Sequence, residues 1–152
     1  MKYSGIVTKR SIAGVVFVLL AIQLVPVDRT NPPVESEVPA PAAVRSILRR
    51  ACYDCHSNET VWPWYSRIAP VSWLVASDVH EGRADMNFST WNRRTREEQL
   101  KAFDECWEKV EQGDMPPLLY RPAHPAARLT EADRSALRAW SQSAGSVDAK
   151  SH

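Results

Sequence analysis

Cys52-Tyr53-Asp54-Cys55-His56 is the stretch on which the reading of this 152-residue chain turns. Two cysteines three apart, followed at once by histidine, form the spacing used for covalent attachment of a c-type haem. On one helical turn each thiol can add to a vinyl group on the same edge of the porphyrin. The histidine then reaches under the ring to give the iron an axial nitrogen. Cys52 and Cys55 are the expected attachment residues and His56 the expected axial ligand.

Just before the pentapeptide, Ala42 to Ala51 carries Val44, Ile47 and Leu48 at i, i+3 and i+4, with Arg45, Arg49 and Arg50 elsewhere on the wheel. This predicts a short amphipathic helix delivering Cys52 to the haem edge. Residues 28–41 hold four prolines among small and polar residues, which predicts an extended tether. Earlier still, Lys2, Lys9 and Arg10 precede an uncharged run from Ser11 to Val27. A cationic flank before an apolar stretch is the pattern of an export signal or anchor. No small-x-small cleavage site follows closely, so an uncleaved inner-membrane anchor over residues 1–27 is expected, with the rest on the periplasmic side.

Downstream, Trp62-Pro63-Trp64-Tyr65 and Pro70 lie in an aromatic, proline-bent segment suited to folding over a flat apolar ligand. Trp62, Trp64, Tyr65 and Pro70 are the expected haem-packing residues. A carbonyl near Pro63 or Pro70 is expected to take the second ring N–H of His56. A helix should run from Pro70 to about Arg83, burying Val71, Leu74, Val75 and Val79, with Gly82 weakening its end. Thr95-Arg96-Glu97-Glu98 is a capping box opening a helix to about Gln112, which Gly113 should end. Thr130 should cap a last helix through Leu137 and Trp140 to about Ser143. Residues 145–152 read as a flexible tail. Nothing reads as a strand, so residues 42–144 are expected to form one mostly α, haem-binding domain.

Met115, in Asp114-Met115-Pro116-Pro117, is the leading candidate for the second axial ligand. Two prolines stiffen the loop and hold the thioether in place at little entropic cost. Met86, His80 and His124 are alternatives, and His152 ends the chain. Cys106 is a third thiol, expected to be buried and inert.

These runs, together with Ile-Ala-Pro-Val-Ser-Trp-Leu from Ile68 and the closing Leu-Thr-Glu from Leu129, resemble the bacterial haem-binding domain family of small exported c-type haem proteins. The likeness covers about Val25 to Trp140. More loosely, the layout is similar to class I cytochromes c, where a Met-Pro-Pro loop supplies the sixth ligand. That similarity implies a cytochrome c-like domain wrapped round one covalent haem, with Leu48 near Leu137 and Trp140. A tryptophan-rich loop between attachment site and methionine departs from a minimal cytochrome c.

Nineteen basic residues nearly cancel eighteen acidic ones, which removes the electrostatic case for nucleic acid. The expected function is a membrane-tethered periplasmic one-electron carrier, not an enzyme, working as a monomer with a redox protein the sequence does not identify. The alternative is a haem-based sensor or peroxidase-like enzyme with a displaceable sixth ligand. Thiol–disulfide chemistry would need a βαβ pattern that is missing, and zinc has too few further ligands.

Overall fold

The computed structural model describes the backbone of residues 3–146 and the side chains of residues 9–143. It is built from helices: α1 (Tyr3–Ala21), α2 (Ala42–Ala51), α3 (Tyr53–His56), α4 (Val71–Asp85), α5 (Arg96–Gln112) and α6 (Glu131–Ser146). Among the described residues the only β feature is an isolated parallel bridge between Ser36 and Thr90. The chain divides into two compact units. Residues 1–30 and 62–78 make the first, and residues 31–61 and 79–152 the second. His152 and the end of the expected tail lie outside the described residues.

The expected membrane anchor is not there. Among the described residues no helix is long and apolar enough to cross a membrane. Helix α1 ends at Ala21, and Lys9 and Arg10 sit inside it, so its uncharged part runs only from Ser11. At 1.5 Å per residue that part is roughly 16 Å long, about half the ~30 Å of hydrocarbon. Ile22 to Val27 do not extend the helix. A short 3₁₀ turn follows, and Gln23 clamps the backbone of Ala69 in the same unit. Its Nε2 donates to the Ala69 carbonyl (3.0 Å) and its Oε1 accepts from the Ala69 N–H (2.9 Å). An apolar run mistaken for a span is thus a short helix plus a turn pinned by its own glutamine.

The second unit carries the core. Val38, Val44, Ile47, Leu48, Phe103, Val110, Leu137 and Trp140 are buried together, so α2, α5 and α6 share one apolar centre. Leu48, Leu137 and Trp140 are buried in this same cluster. Aromatic rings continue it in a chain of near neighbours: Tyr53 on Phe88 (5.5 Å), Phe88 by Trp91 (6.4 Å), Trp91 by Phe103 (5.1 Å) and Phe103 edge-on to Trp140 (4.9 Å). Such pairs add about 0.5–1.5 kcal/mol each beyond burial. Two tryptophans are therefore absorbed by protein rather than by a flat ligand.

The proline-rich stretch is extended, but within the second unit it is fastened down. The N–H groups of Glu35 and Ser36 donate to the Ser89 carbonyl, Asn58 Nδ2 donates to the Pro33 carbonyl, and Trp140 Nε1 donates to the Pro39 carbonyl. Glu35 pairs with Arg93. Val38, at 1 % exposure, enters the core.

Helix ends follow their local chemistry. Thr95 and Glu98 form the reciprocal capping box of α5, and Gly113 closes it with φ +82°, a conformation that favours glycine. Thr130 and Asp133 repeat the box at α6 (Thr130 N–H to Asp133 Oδ2 2.8 Å, Asp133 N–H to Thr130 Oγ1 3.2 Å). Arg50 reaches Asp133 Oδ1 at 2.6 Å. The Arg50 guanidinium, then the Thr130 donors, hold the Asp133 carboxyl down at about 2, against an ordinary 3.8. A depressed carboxyl stabilises the fold above its unfolded value, and that contribution disappears as pH falls from 3.8 through about 2. Asp133→Asn should cost about 1 kcal/mol at neutral pH. Thermal denaturation at a series of acidic pH values should show a flatter profile for the variant across that window.

Helix α4 departs from the expected pattern. Val79 is buried, but Val71 (43 % exposed) and Leu74 (57 %) face outward. The inward positions of the second unit are Val79, Gly82 and Met86, at i, i+3 and i+7. Choosing bulky residues as the buried set overlooked the glycine, because a close approach is made where a side chain is missing.

Candidate functional site: the attachment turn and the methionine loop

Helix α2 delivers the cysteine pair as expected. The Cys52 N–H still bonds the Leu48 carbonyl (2.8 Å), after which the backbone turns and restarts as α3. The Cys55 and His56 N–H groups both donate to the Cys52 carbonyl, at 3.2 and 2.9 Å. One tight turn therefore carries both thiols, three residues apart and on the same side of the helix.

His56 is oriented by backbone on both sides. Its Nδ1 lies 3.0 Å from the Met86 carbonyl, and its own carbonyl accepts from the Phe88 N–H at 2.8 Å. A carbonyl can only accept, so Nδ1 carries a proton, and in the neutral ring the lone pair is then on Nε2, the arrangement that suits an axial ligand. The sequence pointed to a carbonyl near Pro63 or Pro70 for this bond. The structure supplies Met86 instead, because the 86–88 segment returns beneath α3 after α4. Met86 itself spends its backbone on the His56 ring and buries its side chain at 7 % exposure in the core, which removes it as the opposing ligand.

The turn is pressed from behind by α4. A Cβ added at Gly82 would stand 2.7 Å from the Cys55 carbonyl oxygen and 3.1 Å from its carbon. Next to it, Arg83 Nε donates to the Ser57 carbonyl (2.8 Å), and its Nη2 reaches Thr60 Oγ1 (2.9 Å) and Asn31 Oδ1 (2.7 Å). Ser57 Oγ donates to the Tyr53 carbonyl (2.7 Å) and accepts from the Glu59 N–H (2.9 Å). Thr60 Oγ1 bonds the Asp54 carbonyl, and Asn58 is tied to Asn87 and Ser89. Ser57-Asn58-Glu59-Thr60 is a polar brace that fixes the exit from α3. Ser57 is fully buried, so Ser57→Ala strands a donor and an acceptor. It should destabilise the chain by about 1–2 kcal/mol in chemical denaturation.

The three cysteines are not bridged to one another. Burial raises the Cys52 thiol well above its ordinary value, and nearby Cys106 and Cys55 push it further. Burial alone pushes Cys106 up to about 12. Thiol–disulfide exchange needs thiolate, which burial disfavours at Cys52 and Cys106. Among the described residues no three His, Cys, Asp or Glu side chains are grouped to hold a bare metal ion.

Met115 sits where α5 ends. Its N–H turns back to the Lys109 carbonyl (3.1 Å), and its bond to the buried Pro116 is cis. Arg121 straddles it, donating through Nε to the Pro116 carbonyl (2.7 Å) and through Nη2 to the Gly113 carbonyl (2.8 Å). The side chain of Met115 is half-buried and packs on the same core as Cys52 and Cys106. The loop then touches the attachment turn itself, with Tyr120 Oη donating to Asp54 Oδ2 at 2.6 Å. The other candidate histidines have different surroundings. His80 is exposed on α4, and the His124 ring stacks face to face on Tyr120 (3.9 Å, 8°).

The expected packing residues belong to the first unit. Trp64 is 75 % exposed, Tyr65 is half-buried and edge-on to it (5.8 Å, 82°), Pro70 is exposed, and the buried Trp62 Nε1 has no acceptor among the described residues. The residues that sequence reasoning missed are Gly82, Arg83, Ser57, Asn58, Tyr120 and Arg121. Ser57 and Asn58 follow the turn directly, while only folding brings the other four to it.

The set suits a covalently attached haem: two thiols on one face of a turn, an imidazole with its Nε2 lone pair retained, and a thioether on a braced loop. A family described as a haem-binding domain has a sequence model that matches residues 17–143. Neither curated proteins nor solved structures gave a match.

Proposed function

The chain belongs to the haem-binding domain family and is a haem-binding protein, and from that premise we propose that it is a c-type cytochrome-like one-electron carrier. In this reading Cys52 and Cys55 would hold one haem covalently, His56 Nε2 and the Met115 thioether would bind its iron, and no substrate site is involved. The haem would accept and release a single electron at its iron. The chain's own residues keep that exchange cheap in reorganisation: the Met86 carbonyl fixes the His56 ring, and the brace from Ser57 to Arg83 fixes the turn. Paired nitrogen and sulfur ligands would raise the potential and leave no open position on the metal. C-type haem is attached outside the cytoplasmic membrane in bacteria, so the reading assigns the haem domain to the extracytoplasmic side.

The observation that carries the proposal is the His56 arrangement, a ring held through Nδ1 with Nε2 left to bind. Absorption spectra of the reduced protein with and without carbon monoxide test it. A carrier with two protein ligands should show reversible one-electron titration and spectra unmoved by carbon monoxide. Rapid carbon monoxide binding would replace this reading with the sensor or peroxidase-like one.

A further inference from the structure

Tyr120 is the point at which the methionine loop meets the attachment turn, and two observations give that contact a role. Inside the loop, Arg121 ties the carbonyls on either side of Met115, and the Tyr120 N–H bonds the Pro117 carbonyl at 3.1 Å. Residues 113–121 therefore move as one piece. Outside the loop, Tyr120 Oη grips Asp54, which lies between the two attachment cysteines and whose other oxygen takes the Val61 N–H at 3.0 Å. A hydrogen bond to a carboxylate is among the stronger kinds. It joins a braced loop to a braced turn.

We propose that the Tyr120–Asp54 hydrogen bond is the clasp that holds the Met115 loop to the attachment turn, making Tyr120 a positioning residue for the sixth iron ligand. This rests on the reading of Met115 as that ligand. Tyr120 acts through the loop; it sets how often the loop lifts away. With the clasp intact the thioether stays engaged. Without it the loop keeps its internal shape through Arg121 but is free to swing as a body about its ends.

The test uses the haem-loaded protein and three variants, Tyr120→Phe, Asp54→Asn and Met115→Ala. Tyr120→Phe keeps the ring that stacks on His124 and deletes only the donor. Intact mass should show covalent haem in it as in the parent. Its reduced form should bind carbon monoxide at least tenfold faster than the parent, and its ferric sulfur-to-iron band should weaken. Asp54→Asn keeps an oxygen for Val61 but turns an amide NH2 toward Tyr120, removing the phenol-to-carboxylate bond and leaving only a weaker, reversed amide-to-hydroxyl one, so it should move the same readouts less. The double variant should be no worse than Tyr120→Phe alone, because both remove one bond. Equal carbon monoxide rates and bands in the parent, Tyr120→Phe and Asp54→Asn would overturn the clasp. If Met115→Ala leaves the parent's band and carbon monoxide behaviour unchanged, the ligand assignment fails, and the clasp with it. A Met115→Ala effect without a Tyr120→Phe effect sinks the clasp alone.

Discussion

Met115→Ala should convert the haem-loaded protein from an inert carrier into a carbon monoxide binder. The alanine has no donor atom, so the iron would lose its sixth ligand or take up water. Three readouts follow. The weak far-red band of sulfur bound to ferric iron should vanish. The reduced protein should bind carbon monoxide rapidly. The reduction potential should fall by a sizeable part of the ~0.8 V range that axial ligands command. The fold should change far less, because Met115 is only half-buried and the loop keeps its Arg121 ties to the Gly113 and Pro116 carbonyls. Truncating a side chain at that depth costs less than the 2–5 kcal/mol of a fully buried methionine. Denaturant unfolding should therefore separate loss of ligand from loss of structure. A retained far-red band would remove Met115 from the site.

Gly82→Val should be the most damaging single change away from the cysteines and His56. Replacing a helical glycine ordinarily helps, by about 0.5–1 kcal/mol for alanine. Here the first added carbon would already stand 2.7 Å from the Cys55 carbonyl oxygen. The obstacle is backbone, which cannot rotate aside, so α4 or the attachment turn must shift. Overpacking costs about 1–3 kcal/mol, occasionally more, and the branched valine belongs at the upper end. For Gly82→Val we expect a loss of about 3 kcal/mol and a Tm fall on the order of 10 °C. Gly82→Ala should lose about half as much, its helix propensity offsetting part of the clash. The haem yield should fall in step, since the shifted element carries Cys55 and His56. Gly14 is the control: a Cβ there meets nothing within 4 Å, so Gly14→Ala should leave Tm unchanged or slightly higher. Equal behaviour of the two glycines would contradict the close approach of α4 to the turn.

Local chemistry was the legible part of this fold. Helix α2 and the α5 capping box with its glycine stop occupy the residues that periodicity and capping rules assign, because each is decided within a few neighbours. The turn from Cys52 to His56 is local in the same way, the Cys55 and His56 N–H groups both bonding the Cys52 carbonyl. The α1 reading failed because it carried the uncharged run from Ser11 on to Val27, whereas the helix stops at Ala21 and a 3₁₀ turn follows. Lys9 and Arg10 shorten the uncharged helix, and Gln23 ends it by bonding Ala69, forty-six residues away. The partner of His56 was illegible for a related reason. Any carbonyl can accept an imidazole N–H, and which one arrives depends on how α4 returns the chain, not on the identity of Met86. Gly82 read as a weak point because propensity counts what a residue lacks locally. In the fold that lack is what admits the Cys55 carbonyl. Tyr120 and Asp54 lie sixty-six residues apart, with nothing in either neighbourhood to announce the other.

The claim at the centre of this account is that Cys52 and Cys55 hold a haem by covalent bonds. Intact-mass measurement of the chain made alongside a haem-attachment system tests it most directly, with Cys52→Ser, Cys55→Ser and the double variant beside it. The account predicts a parent heavier by one haem that survives unfolding and acid extraction into organic solvent, and a double variant at the mass of the bare chain. A parent at bare-chain mass, or a haem that leaves on acid extraction, would contradict it.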